Sequence, residues 1–413
     1  MSHALSDDCG PGDLSGPAVA TAPEERPALI RLVGDVTAFA TSTWSRQPEL
    51  RSAADADGFA DLLDEAAVDE LLSERGLRTP FLRVAKDGRT LPGSAFTAPG
   101  GVGAGVADQV SDDKLSALFT DGSTLVLQAL HRVWPPLIDF CQQLAADLGH
   151  PVQANAYVTP PQNQGFDDHY DVHDVFVLQV AGRKKWSIRP PVLPAPLRDQ
   201  PWTDRRDAVG RAAAEEPLLE ATLEPGDSLY LPRGHLHSAV ALGEVSIHLT
   251  LGVHTWTRHA VAEELAALAL DALADDEEMR GSLALGTTLG AGELDAEQVT
   301  ARLLDALSSI DPAVVSERLR SRRRGTQRAA PLGPLAQHAL AESLTDTTAL
   351  RLRDHLDAGL EADNLCSRAG TVSVAGVPDD VRDSLLAGEV VTTAELGEAA
   401  ARALVAAGLV VAG

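Results

Sequence analysis

Cysteine is all but missing from this chain of 413 residues: Cys9, Cys141 and Cys366 stand far apart and form no CxxC pair. That excludes a disulfide framework and a thiolate zinc site of the usual spacing, and it fits a reducing cytoplasm. Lysine is scarce as well, with Lys86, Lys114, Lys184 and Lys185 set against thirty arginines. No stretch approaches the roughly 18 consecutive apolar residues of a membrane-spanning helix. The N-terminal MSHALSDDCGPGDLSGP also lacks the basic and apolar regions of a signal peptide. A soluble cytoplasmic protein without a membrane role is expected. Positive charge falls short overall, 34 Lys plus Arg against 60 Asp plus Glu, for a net charge of −26. A field of that sign repels nucleic acid and favours basic partners, so direct DNA binding is not expected.

What is present falls into blocks. Hydrophobic residues make up 44% of the chain, enough for sizeable cores, and at about 150 residues per domain the length predicts two or three domains. Residues 1–28 are rich in Gly, Pro, Ser, Asp and Ala without periodicity and read as a flexible tail. From Leu29 to about Leu91, segments such as FADLLDEAAVDELLSERGL space their apolar residues three and four apart and read as mostly helical. The glycine-rich AFTAPGGVGAG at 95–105 lacks the Lys-Ser/Thr and the preceding strand of a phosphate loop, so nucleotide binding is not expected there. STLVLQALHRVWPPLIDFCQQLAADLGH (123–150) predicts a helix broken near Pro135-Pro136.

Between Val152 and Leu251 the character changes to short β-rich runs separated by Pro/Gly turns, the pattern of a sandwich or barrel. After Trp256 the chain is again Ala/Leu-rich and helical, and it carries a basic run, RLRSRRRGTQR (318–328), that reads as a solvated or salt-bridging helix face. The last part predicts a helix at TALRLRDHLDAGL, a strand pair around TVSVAGV and a closing helical segment, a winged-helix outline. From Arg351 onward it holds five arginines and ten acidic residues, which suits protein contact better than DNA reading.

The chemistry concentrates in GFDDHYDVHDVFVLQVAGRKKW (165–186). His169 and Asp171 are two residues apart, so on a strand both project from one face. An imidazole and a carboxylate, joined by a second imidazole, make the 2-His-1-carboxylate set that holds Fe(II) and leaves coordination positions open. LEPGDSLYLPRGHLHSA (223–239) offers the second imidazole: a tight turn, a short strand and a second turn present His235 and His237. An HxD alone is a common accident in a chain with twelve histidines. Followed by PGDxxxxPxGxxH in a β-rich region, it is far more specific. His173 shares the strand parity of His169 and Asp171. It reads equally as a cavity residue and as a structural one. Ser246, His248 and Thr250 alternate with apolar neighbours, which could turn a polar face toward the cavity.

NAYVTPPQNQGFDDHYDVHDVFVLQVAGRKKW, with the distal PGDSLYLPRGHLHSA, is similar to the JmjC-type ribosomal oxygenases of the cupin superfamily, most densely over 152–256. These are Fe(II)/2-oxoglutarate-dependent hydroxylases of ribosomal-protein side chains. The resemblance implies an α+β architecture: a JmjC/cupin double-stranded β-helix with flanking helices over 29–256, a helical dimerisation domain over 257–345 and a winged helix over 346–413. It implies His169, Asp171 and His237 as iron ligands, with His235 leaving open a swap of ligand roles. It places Lys184 where the family binds the distal carboxylate of 2-oxoglutarate, Tyr157 where a tyrosine helps hold the same molecule, and Asn155 on the same strand face. The implied activity is hydroxylation of a histidine or arginine of a ribosomal protein by a homodimeric cytoplasmic enzyme. The alternatives are hydroxylation of another peptide, such as a natural-product precursor, a non-catalytic cupin-fold assembly or regulatory protein, and a cupin enzyme that works without 2-oxoglutarate.

Overall fold

The structure, a computed structural model, describes residues 26–53, 58–86, 88–161, 163–164, 166–290 and 294–413. The expected tail therefore lies outside the described residues up to position 25, and a helix already runs over Pro27–Val33. Two compact units divide the chain at Val253/His254.

The first unit is built on antiparallel strands. In chain order they are β1 (Glu49–Arg51), β2 (Leu82–Lys86), β3 (Arg89–Thr90), β4 (Thr97–Ala98), β5 (Gln109–Val110), β6 (Thr124–Leu127), β7 (Val152–Thr159), β8 (Asp174–Ala181), β9 (Lys184–Pro191), β10 (Leu219–Leu223), β11 (Ser228–Leu231), β12 (His235–Ala241) and β13 (Ser246–Val253). An eight-stranded sheet has the order β1-β11-β8-β13-β7-β6-β2-β3, and a three-stranded sheet the order β10-β9-β12. The continuous apolar run of β8 follows from this layering. Val175 and Val177 pack with Trp186 and Ile188 of the smaller sheet, while Phe176 and Leu178 join the core that contains Leu29 and Leu137 of the helices. A strand buried on both faces has no polar side to show. Two antiparallel sheets packed face to face, with helices against the larger one, are in line with the expected barrel.

Two expectations about the flanks need correction. The stretch 123–134 is not an α-helix: Thr124–Leu127 is a fully buried strand between β2 and β7, a single 3-10 helical turn spans Leu130–Arg132, and the α-helix begins only at Pro135. The proline pair starts that helix rather than breaking it, because the first turn has no use for those N–H groups. Gly149, left-handed at φ 70°, ends it. Likewise 29–91 is only partly helical. The run LRVAK at 82–86 is a sheet strand, held by tertiary pairing that short-range periodicity does not report.

In the second unit, helices run over Arg258–Ala274, Ala296–Ser308, Pro312–Thr326 and Pro334–Glu342. A core of Leu350, Leu365, Leu385, Leu404 and Val410 follows, against which Leu340 packs. The expected helix at TALRLRDHLDAGL is instead two short strands, Ala349–Leu352 and Gly359–Glu361; the pair around TVSVAGV does form, Asn364–Ser367 with Gly370–Ser373. The basic run is spent within the unit. Arg318 pairs with Asp271, Arg322 with Glu264, Arg323 with Asp357 and Arg324 with Glu361. Among the described residues, no helix is long and apolar enough to cross a membrane.

The corner between the sheets sets the cavity floor. Gly182, at φ +61°, follows the end of β8 and precedes Lys184 at the start of β9, and a Cβ there would lie 2.0 Å from the carbonyl oxygen of Val245. Gly182→Ala is expected to cost at least about 2 kcal/mol in denaturant unfolding. Gly210→Ala, in the helix Arg206–Ala213 with open space around it, is expected to stabilise by roughly 0.5–1 kcal/mol.

Candidate metal centre

Three side chains converge where the two sheets face each other. One ligand atom from each of His169, Asp171 and His237 falls within 4.8 Å of the others. The backbone builds this. His169 and His237 form a β-bridge in which each N–H donates to the other's carbonyl, at 3.2 and 2.9 Å. The ring centroids are 4.5 Å apart. His237 Nε2 lies 3.9 Å from Asp171 Oδ2.

The turn leading to His237 is held from both sides. Gly234 N–H donates to the Asp171 carbonyl at 3.0 Å. The fully buried Asp174 accepts from the Tyr230 hydroxyl at 2.6 Å and from the Arg233 N–H at 3.0 Å. Gly234, at φ +90°, has no room for a Cβ, which would sit 2.3 Å from the Leu193 carbonyl oxygen.

The imidazoles are set for ligation. His169 Nδ1 lies 2.7 Å from the Asp167 carbonyl oxygen, and His237 Nδ1 lies 3.0 Å from that of His235. A carbonyl only accepts, so each Nδ1 carries the proton and each Nε2 keeps its lone pair free for a metal. Burial, and then the neighbouring His169, push His237 down to about 4, so it is neutral at physiological pH. Burial opposes ionisation of Asp171, but the groups around it, His173 first and Arg83 among them, outweigh it and hold its carboxyl below the usual range. Two neutral imidazoles and one carboxylate are a donor set that fits Fe(II).

His235 is buried with its Nδ1 on the Pro232 carbonyl and stands outside the cluster, so the geometry gives the ligand position to His237. His173 sits over Gly252, where a Cβ would meet its ring at 2.7 Å.

Behind the triad lies a cavity of about 60 Å³, walled by Val175, Val177, Trp186, Leu231 and Thr250. Lys184 forms part of its lining, is 3% exposed, and donates to the Thr159 hydroxyl at 3.1 Å. Among the described residues no carboxylate pairs with it. Burial therefore pushes it down to about 7. Tyr157 lines the same cavity, stacked on His248 with centroids 4.9 Å apart, and burial raises its phenol to about 12. Asn155 shares the strand face of Tyr157 but does not line the cavity; its carboxamide oxygen accepts from the N–H of Ala129, a left-handed residue before the helix. The expected inward face of β13 holds for His248 and Thr250, while Ser246 accepts from Gln179. Thr159, Phe166 and Arg83 were not singled out from the sequence, because nothing in their spacing marks them.

Residues 133–261 match the model of the JmjC domain. Over that stretch the chain is similar to the JmjC domain. Its relatives include the bifunctional lysine-specific demethylase and histidyl-hydroxylase NO66 of Aedes aegypti, 29% identical over 52% of this chain and 32% of that protein. Ribosomal oxygenase 1 of Homo sapiens is 37% identical over 34% of this chain and 22% of that protein. The matched part is thus about a third or less of these relatives' length. Among solved structures, the Escherichia coli ribosomal oxygenase YcfD superposes with a TM-score of 0.55 at 17% identity, covering 92% of this chain and 99% of that one. A complex of YcfD with cobalt and 2-oxoglutarate gives 0.54 at 17%, covering 92% and 98%. At that identity the likeness speaks for the fold alone.

Two outcomes check the site. In calorimetric titration with Co(II) or Mn(II), His237→Ala is expected to abolish tight binding while His235→Ala retains it. For Lys184, the unfolded chain keeps the ammonium protonated up to about pH 10.5, whereas the folded chain releases its proton near pH 7. The unfolded state then binds more protons between those values, and stability rises with pH through that window. The stabilisation given by Lys184→Met should therefore be greatest below pH 7 and fade toward pH 10, as read from paired unfolding curves.

Proposed function

We propose that the protein is an Fe(II)/2-oxoglutarate-dependent dioxygenase that hydroxylates a histidine or arginine side chain of a ribosomal protein. The observation that carries the reading is the combination of two Nδ1-clamped imidazoles and one ionised carboxylate with a buried ammonium that has no anion to balance it. The comparisons agree in kind: relatives bear the names histidyl-hydroxylase and ribosomal oxygenase, and a structural neighbour was solved with cobalt and 2-oxoglutarate.

His169, Asp171 and His237 would hold the iron. Lys184, with Thr159 beside it and Tyr157 in the same wall, would receive the distal carboxylate of 2-oxoglutarate. A charge-assisted bond there replaces the solvation that burial removed from the ammonium. The bound metal and co-substrate supply the oxidative chemistry, in which dioxygen, 2-oxoglutarate and a C–H bond become C–OH, succinate and CO2. The chain's own part is to orient the reactants and keep water out. Trp186, Val175, Val177 and Leu231 give an apolar wall, and Phe166 stands beside His169. The net charge of −26 draws a cationic polypeptide to the surface.

The remaining divisions follow the same reading. The catalytic part is 29–256, the helices of 257–345 make a homodimer, and 346–413 is a winged helix for protein contact. The enzyme works in the cytoplasm.

Succinate formation by purified protein should require both iron and 2-oxoglutarate. Lys184→Ala should raise the 2-oxoglutarate KM by about tenfold or more, the scale of one charge-assisted bond. Mass spectrometry of ribosomal proteins from cells with and without the chain should show a shift of about +16 Da on one residue, the single oxygen inserted by such metal-assisted chemistry. An unchanged ribosomal set would rule out that substrate. Succinate release indifferent to 2-oxoglutarate would rule out the reaction.

A further inference from the structure

A cation that helps shape the cavity comes from outside the matched JmjC region. Strand β2 joins the larger sheet through β6, with Arg83 opposite Val126 and Val126 opposite Tyr157. Directly paired residues project from one face of a sheet, so Arg83 and Tyr157 share the cavity side. The valine between them is short, and the guanidinium reaches past it. Its carbon lies 5.7 Å from the centroid of the Phe166 ring, and Phe166 in turn meets Tyr157 edge-on with centroids 6.1 Å apart. Phe166 thus touches both partners and holds the cation near the phenol. The charge of Arg83 acts on both Tyr157 and Asp171. Its Nε is buried without a hydrogen-bond partner.

The chemistry of the two groups gives this arrangement a direction. A guanidinium has five donors and no acceptor, whereas a phenol has one donor and can also accept. A bond between them must be accepted by the phenolic oxygen. The hydroxyl proton is then left for another partner. The ring cannot turn away to choose freely, because its face is stacked on His248 at an interplanar angle of 6°. A tyrosine without such a neighbour could either donate to a ligand or accept from one. A guanidinium set on the phenolic oxygen would take up the second option.

We propose that Arg83 is a positioning residue that commits the Tyr157 hydroxyl to donating into the cavity, so that the site selects a ligand with an oxygen acceptor at that point. Under the function proposed above, that acceptor is a carboxylate oxygen of 2-oxoglutarate. The identity of the ligand rests on that reading; the coupling of Arg83 to Tyr157 does not.

The test uses the full chain with 3-fluorotyrosine at its three tyrosines, Tyr157, Tyr170 and Tyr230, without added metal. Tyr157→Phe assigns the Tyr157 fluorine resonance by its loss. Arg83→Met is expected to move that resonance and leave the other two in place, and Arg83→Lys to move it less. Titration with 2-oxoglutarate, followed on the same signal, should weaken roughly five- to tenfold in Arg83→Met, the scale of one ordinary hydrogen bond. Because Tyr157→Phe silences that signal, the pair is compared by calorimetry, where Arg83→Met in the Tyr157→Phe background should bring no further loss. With iron present, the variant should raise the KM for 2-oxoglutarate more than it lowers kcat.

An unmoved Tyr157 resonance overturns the proposal. So does an Arg83→Met effect on affinity that persists in full in the Tyr157→Phe background. Should Arg83→Met fail to fold, the graded comparison of Arg83→Lys and Arg83→Gln decides by the same two readouts. If 2-oxoglutarate does not bind the unmodified protein while the resonance still responds to Arg83, the co-substrate reading fails and the positioning role stands.

Discussion

The site depends on one pair of backbone hydrogen bonds, the reciprocal N–H to carbonyl exchange between His169 and His237. Residues that exchange both bonds in an antiparallel pair have a fixed Cα separation and present their side chains on the same face. Two imidazoles from distant stretches of chain are thereby brought together before any metal is considered. Everything nearby serves that pairing. Asp174 fixes the approach to β12 through Arg233 and Tyr230, and Gly234 lets the turn pass close under Leu193. The Nδ1 contacts to the Asp167 and His235 carbonyls then choose the tautomer. The convergence of the three side chains is thus inherited from sheet geometry.

Lys184 shows the opposite economy. An ammonium buried among apolar side chains with only a hydroxyl for company is destabilising, and burial displaces its proton equilibrium to about 7. A fold under selection for stability alone would place a carboxylate or an apolar residue there. Positions that break local rules without compensation inside the chain are where a ligand is expected to supply the compensation. Arg83 belongs to the same class, with a buried Nε that finds no partner and a charge turned toward the cavity wall. The cavity lining thus holds one buried lysine with no carboxylate paired to it among the described residues, a lack that an anionic ligand makes good.

Much of this was legible in the sequence, and what was not has physical causes. The β character of 152–251 and the HxD with its distal PGDxxxxPxGxxH were readable because turn residues and ligand spacing are local signals. Lys184 stood out through the scarcity of lysine. The strands Leu82–Lys86 and Thr124–Leu127 were hidden, since each is short and gains its strand state from pairing with β7 and its neighbours rather than from its own pattern. Arg83 was hidden with its strand. Asn155 shows the limit of face arguments: parity put it beside Tyr157 on the correct side, but one residue pair further along, where the Ala129 N–H takes up its carboxamide. At Arg351–Leu360 apolar spacing of helical period met the central strand of one small sheet and the edge strand of another, and the sheet contacts prevailed.

Charge works at two ranges in this molecule. The arginine-rich helix Pro312–Thr326 would have offered a positive stripe, but its residues close ion pairs with Asp271, Glu264, Asp357 and Glu361, so the net charge of −26 remains the long-range field. At physiological salt that field fades over about 8 Å, which lets it speed encounter with a cationic polypeptide without fixing which side chain enters. Inside the cavity the sign is reversed at Lys184, which lines the space that a ligand must share. Under the proposed function, a cationic polypeptide is drawn by the surface while the pocket favours a small anion as its first occupant. The order of binding would follow from that contrast: the anion settles against Lys184 while the site is open, and the polypeptide closes over it afterwards.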